Sequence, residues 1–573
     1  MARGAAYPRG QCRCRFDGEH RHALYLLRPR LGLPNRDYYI DDTEANEKVR
    51  QAYLTTSAEL LIHAGHDAST APAAVQAVYE FERALAAETF TREQRQDYSL
   101  TYNPFTVNEL GQTYSLMDWQ QYFQRLGLRD VDKVVVTEPG YLRALDGIVR
   151  DTSIETIKSY LTLRTVWVYS ANLSLEIEET AFQYDAALLG VSEQQPLDER
   201  VLEEVSWALT DAVGKLYVGA YFPPEAKERI TELVDELIVA FGKRIDAISW
   251  MTDETKERAQ TKLGKLGVKV GYPDTWETYE AVEIRDSYAG SVISVFEQQK
   301  RTNLEKYGKP VDKGEWDEPA HLVNAFYDPG ANEIIFPAAI LQPPFFDYQA
   351  DPASNFGAIG FIIGHEITHG FDQGGSQFDG DGNLSNWWSD EDLKAFTALN
   401  QLVVDQYSAI EVLPGVFIDG QITIGENVAD LGGVQVGFDA LAAHLETNGA
   451  SLDEVVNGPV SETTAVAAEA SPVAAFATPA EAPAVATPNA SPAAVQGVRE
   501  LTQRERFFIA AATVWRSKMR EEALVTLVQT DPHSPAEVRA TQPIRNMDAF
   551  HGTWGTEPGD PMFLPEDERI VIW

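Results

Sequence analysis

His365-Glu366-Ile367-Thr368-His369, set behind the apolar Ile359, Phe361, Ile362 and Ile363, is the stretch that organises this chain. The pentapeptide is an H-E-x-x-H match. On a helix, residues i and i+4 stand one above the other on the same face, so two imidazoles at this spacing can bind one metal ion. Glu366 lies close enough to act on a water at that ion. The apolar run before the motif predicts a helix buried in a core. A chance match on an ordinary core helix is the competing reading. With ten histidines in 573 residues, such a pentapeptide arises by chance in about one or two of a hundred chains.

The length allows two or more domains and a large core. A formal charge of −40 repels phosphate backbones and argues against a nucleic-acid partner. No apolar run has the length of a membrane span, and the first thirty residues lack a signal-peptide core, so no membrane anchor is expected. The compartment stays open, leaning to the cytoplasm. The two cysteines, Cys12 and Cys14, sit together near the N-terminus, which excludes a disulfide-braced scaffold and a closed thiolate metal site.

Residues 1–30 read as an atypical basic segment: seven arginines against Asp17 and Glu19 give a net of +5 in a strongly acidic chain. A mis-called start or a shifted reading frame accounts for this better than a basic arm. From about Asp41 to Met251 the pattern is mostly helical. Ile230, Leu233, Val234, Leu237, Ile238, Phe241, Ile245 and Ile248 follow helical spacing behind Pro223 and Pro224. Thr252 with Asp253 is placed to cap the next helix. Further helical stretches are expected over Glu44–His63, Ala73–Thr89 and Glu155–Leu189. Asn324–Gly330 followed by Glu333–Pro337 reads as two short strands around a turn. A second helix is expected over Ile424–Leu441, with Glu426 and Asp430 on one face. Residues 459–496 are rich in Ala, Pro, Thr, Ser and Val and hold no Lys, Arg or Gly, a composition expected to be a disordered insertion. A helical run resumes from Glu500 through Trp515, followed by Asp531-Pro532-His533-Ser534-Pro535 and Arg539.

Six blocks in order resemble the neprilysin and endothelin-converting enzyme family of zinc metallopeptidases, in its bacterial oligopeptidase form. They are Gly32-Leu33-Pro34-Asn35-Arg36-Asp37-Tyr38-Tyr39, Asn324–Tyr327, Phe336–Phe346, the H-E-x-x-H helix, Glu426–Asp430 and His533–Arg539. The resemblance implies a mainly α fold with two lobes around a central cavity, and a thermolysin-like zincin catalytic lobe with a small β-element. The lobe restricting access would span 31–300 and the catalytic lobe 301–573.

Spacing alone leaves the third metal ligand open among 87 acidic residues. The resemblance implies His365, His369 and Glu426 as ligands of one Zn2+ per chain, with Asp430 orienting a zinc histidine, expected to be His365. Without it, Glu426 and Asp430 read as a solvated helix face. The implied chemistry is hydrolysis of oligopeptides on the amino side of hydrophobic residues. Glu366 carries the proton and His533 donates to the oxyanion. Arg539 would hydrogen-bond a substrate carbonyl, and Asn324 and Ala325 would bind substrate backbone as an added strand. Ile340, Phe345, Phe361, Ile362, Val514 and Trp515 would line the S1′ pocket; read alone, each is core. The resemblance begins at about Leu31, so the family's long N-terminal segment is expected to be missing. That leaves a catalytically impaired peptide-binding homologue as the alternative, with a zincin of unrelated specificity as a third reading.

Overall fold

The computed structural model describes residues 12–14, 21–115, 117–456 and 500–573. The expected insertion 459–496 lies outside the described residues, as do 1–11 and 15–20. The chain forms two compact units. The first comprises 1–209, 278–312 and 520–526; the second comprises 210–277, 313–519 and 527–573. They interleave in sequence: residues 210–277, before the expected boundary at 300, pack in the second unit. Among the described residues no helix is long and apolar enough to cross a membrane.

The first unit is mainly helical. Helix Glu44–His63 forms over the expected span, and Ala71–Ala87 lies within two residues of it. The stretch 155–189 is not one helix. It breaks into Ile154–Tyr169 and Leu175–Leu189 around a 3-10 turn at Ser170–Asn172. Buried Asn172 leaves the helical ladder there and donates to Glu204 (3.1 Å).

A four-stranded sheet, absent from the helical reading, runs β1 (Cys12–Cys14), β2 (His22–Leu26), β4 (Lys133–Val136), β3 (Asn103–Thr106). β2 pairs antiparallel with β1 and parallel with β4, whose Lys-Val-Val-Val sequence is β-branched. Within the atypical basic segment 1–30, the described residues Cys12–Cys14 and His22–Leu26 are thus strands of this sheet. Leu24 faces one apolar cluster, while Ala23 and Tyr25 face another. Arg28, counted among the basic excess, pairs with the buried Glu138 at 3.0 Å. The arginine count masked a strand with apolar residues on both faces.

The block beginning at Gly32 has a structural task. Buried Glu82 accepts hydrogen bonds from Gly32 N (3.1 Å), Tyr39 Oη (2.9 Å) and Tyr53 Oη (2.8 Å). A Cβ at Gly32 would stand 2.1 Å from Tyr53 Oη, so no side chain fits.

In the second unit, β5 (Gly267–Gly271) lies parallel to β7 (Glu333–Pro337), and β6 (Phe326–Asp328) lies antiparallel to β7 at the sheet edge. The expected pair of strands around a turn is β6 and β7. The expected helices appear as Pro224–Ala247, Asp253–Leu263, Ile359–His369, Ile424–Thr447 and Gln503–Thr513. Thr252 sits at the N-cap, but its hydroxyl donates to Asp392 rather than capping its own helix.

The motif helix Ile359–His369 and the helix Ile424–Thr447 cross at backbone contact. An added Cβ at Gly433 would lie 2.6 Å from His365 N and 2.7 Å from Phe361 O. At Gly364 it would lie 2.7 Å from Gly433 O, and at Gly432 2.5 Å from Thr368 Oγ1. Gly433→Ala is therefore expected to lower the melting temperature by several degrees, for an overpacking cost of about 1–3 kcal/mol. Gly111→Ala, on the exposed helix Val107–Thr113 with nothing within 4 Å of the new Cβ, should be neutral or gain up to about 1 kcal/mol. Equal melting curves for the two variants would contradict the crossing as described.

Candidate metal centre

His365 and His369 project from one face of the motif helix, one turn apart. Their Nε2 atoms are 2.9 Å apart. Glu426 enters from the first turn of the crossing helix, where the helix N-terminus favours an ionised carboxylate. Its Oε2 lies 3.3 Å from His365 Nε2 and 3.5 Å from His369 Nε2. These three form a group able to hold a metal ion.

The hydrogen bonds around the rings explain why they face one another. His365 Nδ1 meets Asp430 Oδ1 at 2.8 Å, and His369 Nδ1 meets Asp372 Oδ2 at 2.7 Å. A carboxylate at Nδ1 keeps the proton there and leaves Nε2 as a lone-pair donor. Two such nitrogens and a carboxylate oxygen therefore converge on one point, where without a cation they would repel. Glu426 Oε2 is buried, with three imidazole nitrogens within 3.5 Å of it. A tetrahedral ion with bonds of about 2.0–2.2 Å suits donors at these separations, and the N, N, O set suits zinc.

Each orienting carboxylate is itself held. Arg539 donates from Nε to Asp430 Oδ2 (2.8 Å) and from Nη2 to Oδ1 (2.7 Å), a two-bond fork. The guanidinium lies over the Trp515 ring, 3.9 Å from its centroid. Arg539 was expected at substrate; the structure commits these two of its nitrogens to Asp430. Asp372 Oδ1 accepts from Gly374 N and Gly375 N, both at 2.7 Å.

His533 Nε2 stands 3.1 Å from Glu426 Oε2, and its Nδ1 is 2.6 Å from Asp531 Oδ1. Burial alone would lower its pKa; the Glu426 charge and the Asp531 hydrogen bond outweigh burial and raise it to about 9. Next to it, Ser534 Oγ donates to Asn427 Oδ1 at 2.7 Å, tying the His533 loop to the Glu426 helix. Burial, chiefly, raises the pKa of Glu366 above the ordinary carboxylate value, and the histidines oppose it. For Glu426 burial acts the same way, but the charges of His533 and His369 hold its pKa well below that value.

Ile340, Phe345, Phe361, Ile362, Val514 and Trp515 are buried in one apolar cluster, with the Phe361 and Trp515 rings edge to face at 5.8 Å. Asn324 and Ala325 immediately precede edge strand β6. The sequence reading passed over Asp372, Asp531, Asn427 and Ser534. Asp372 and Asp531 lie three and two residues from the histidines they hold, so proximity along the chain was the available signal. The Asn427–Ser534 bond spans 107 positions and had none.

Comparison with known proteins agrees with this geometry. The chain is 31% identical over 579 residues to human membrane metallo-endopeptidase-like 1, covering 96% of this chain and 68% of that protein. It belongs to peptidase family M13. The N-terminal domain model of peptidase family M13 matches residues 16–273, and the second M13 model matches 324–464 and 453–570. This corrects the expectation that the family's N-terminal segment is missing: the N-terminal M13 domain is present from residue 16, and β2 belongs to it. Neutral endopeptidase of Lactobacillus helveticus is 28% identical over 96% of this chain and 77% of its own length. The crystal structure of the Mycobacterium tuberculosis zinc metalloprotease ZMP1 with an inhibitor superposes with TM-score 0.84 at 32% identity, covering 98% of this chain and 80% of that one. The chain is thus an M13 zinc metalloendopeptidase with a mainly helical, two-domain zincin fold.

Asp430→Asn should weaken zinc binding by about 10–100-fold in a chelator competition, because it loosens the His365 ring. It also leaves the buried Arg539 without its counter-charge, a loss of about 3–5 kcal/mol on thermal unfolding. Unchanged zinc affinity would separate Asp430 from the metal site.

Proposed function

We propose that this chain binds one zinc ion through His365, His369 and Glu426 and hydrolyses oligopeptides on the amino side of hydrophobic residues. The observation that carries the reading is the convergence of two Nε2 lone pairs, each fixed by a carboxylate at Nδ1, on the Glu426 oxygen. A zinc ion there supplies Lewis acidity and lowers the pKa of a bound water to about 7.

The chain's own residues supply the rest. Glu366, next to a ligand on the same helix, takes a proton from water and delivers it to the leaving amine. Burial raises its pKa, and a carboxyl nearer neutrality suits both halves of that transfer. His533, kept protonated between Glu426 and Asp531, donates from Nε2 to the oxyanion that forms at the attacked carbonyl. Asp430 and Asp372 hold the two imidazoles in their binding tautomer. Arg539 secures Asp430 and presents the rest of its guanidinium to a substrate carbonyl. Asn324 and Ala325, beside the edge strand, offer backbone groups to an extended peptide. The cluster around Phe361 and Trp515 receives the hydrophobic residue after the cleaved bond.

Glu366→Gln should retain one zinc per chain by elemental analysis while losing nearly all turnover of a quenched peptide. Loss of the metal together with activity would make Glu366 structural. His533→Ala should lower kcat by about 10²–10³ with little change in KM. An effect confined to KM would place His533 in ground-state binding. Mapping cleavage products of a peptide mixture checks the preference; bonds cut without regard to the following residue would contradict it.

A further inference from the structure

A buried lysine stands behind the second histidine. Lys262 lies on the helix Asp253–Leu263, a segment of polar composition, Asp-Glu-Thr-Lys-Glu-Arg-Ala-Gln-Thr-Lys-Leu, that reads as a solvated helix. Its side chain nevertheless ranks among the largest fully buried ones, at 2% exposure. Nζ donates to Gly375 O (2.7 Å) and Phe378 O (2.8 Å). It also lies 5.5 Å from the ring centre of Phe371, 5.9 Å from that of Trp387 and 6.0 Å from that of Tyr327. Burying an ammonium is costly unless partners compensate it, and here two carbonyls do so.

Residues 370–378 are the chain's exit from the motif helix. Within them Gly374 N and Gly375 N grip Asp372 Oδ1, Ser376 N donates to Asp372 O (2.9 Å), and Asp372 Oδ2 holds His369 Nδ1. The carbonyls that Lys262 takes belong to this same loop, one of them on Gly375 itself. Gly375 has no room for a side chain, since a Cβ would stand 1.8 Å from His369 O. The loop is therefore folded back on the histidine and pinned from behind. Burial draws the Lys262 pKa down to about 7 even though the charges of Asp372 and Asp379 act to raise it. The three ring faces favour the ammonium as well.

We infer that Lys262 is a positioning residue for the metal centre: by pinning the Gly375 and Phe378 carbonyls it holds Asp372 against His369, and through that bond it sets the zinc affinity. This rests on His365, His369 and Glu426 being the zinc ligands. Arg539 supports Asp430 and His365 by bonding the carboxylate directly, whereas Lys262 reaches Asp372 only through the backbone of its loop.

The test is a double-mutant cycle on the full chain, with zinc dissociation constants read by chelator competition at a temperature well below every melting point. Lys262→Met and Asp372→Asn should each weaken zinc by about 10–100-fold. The double variant should be no weaker than Asp372→Asn by more than about threefold, because both changes cut one relay. A lysine that merely fastens the fold would lower the melting temperature and leave the affinity of the folded protein within about twofold, or its effect would multiply with that of Asp372→Asn. Either result overturns the inference. If Lys262→Met does not fold, Lys262→Arg and Lys262→Gln carry the comparison. Arginine must hold zinc at least about tenfold tighter than glutamine, and equal affinities overturn the inference. A wild-type chain that binds no zinc at His365, His369 and Glu426 would refute the site itself, a separate outcome from a cycle that fails on a zinc-binding wild type.

Discussion

The distance between two helix backbones is the constraint on which the rest depends. Helices packed through ordinary side chains lie about 8–10 Å apart, with scatter set by those side chains. A metal site tolerates only about 0.2 Å in its bond lengths. Gly364 and Gly433 remove the side chains at the crossing, so the Gly433 backbone rests against that of Phe361 and His365. Glu426 lies two helical turns before Gly433 on the same rigid rod. Its short side chain reaches the histidines because the approach is set by backbone contact. Thr368, packed against Gly432, keeps its hydroxyl on Gly364 O (2.7 Å), inside its own helix.

Charge is the second constraint, and it runs through the whole centre. Glu366, Glu426, Asp430, Asp372 and Asp531 gather around three imidazoles, mostly out of water. Arg539 and His533, its pKa raised to about 9, oppose them, Lys262 adds its charge when protonated, and a divalent ion would bring the set towards neutrality. Removing any one member leaves another buried charge uncompensated, a larger penalty than the loss of its own contacts. The arrangement thus explains itself as a unit: acids orient the histidines, and bases keep the acids ionised and in place.

How far this was legible depended on sequence separation. Local features came through: the motif spacing, the helix Glu44–His63, the β6 and β7 pair, and the Glu426 to Asp430 step of one turn. Glu426 as candidate third ligand did not emerge from local pattern, because it meets the histidines at a helix crossing that no spacing encodes; only family resemblance pointed to it. Lys262 was hidden for a related reason. It lies among charged neighbours on a helix whose pattern promises solvent, and tertiary packing buried it. β2 was hidden by composition, its apolar residues lost among arginines that in fact flank a strand. The break at Ser170–Asn172 was missed because no proline or glycine marks it.

The interleaving of the two units follows from the same packing. The helix Pro224–Ala247, upstream of any boundary near 300, places Phe241 in ring contact with Phe371 at 5.0 Å, directly behind the motif helix. The next helix contributes Lys262, and β5 completes the sheet on β7. Residues 210–277 therefore form the rear wall of the metal centre: they cover its apolar side and pin its exit loop. A catalytic half beginning after 300 would expose Phe371 and release the 370–378 loop that holds His369. The chain returns to its N-terminal half for these supports because the motif helix is buried on every side, and the C-terminal elements cover only part of it.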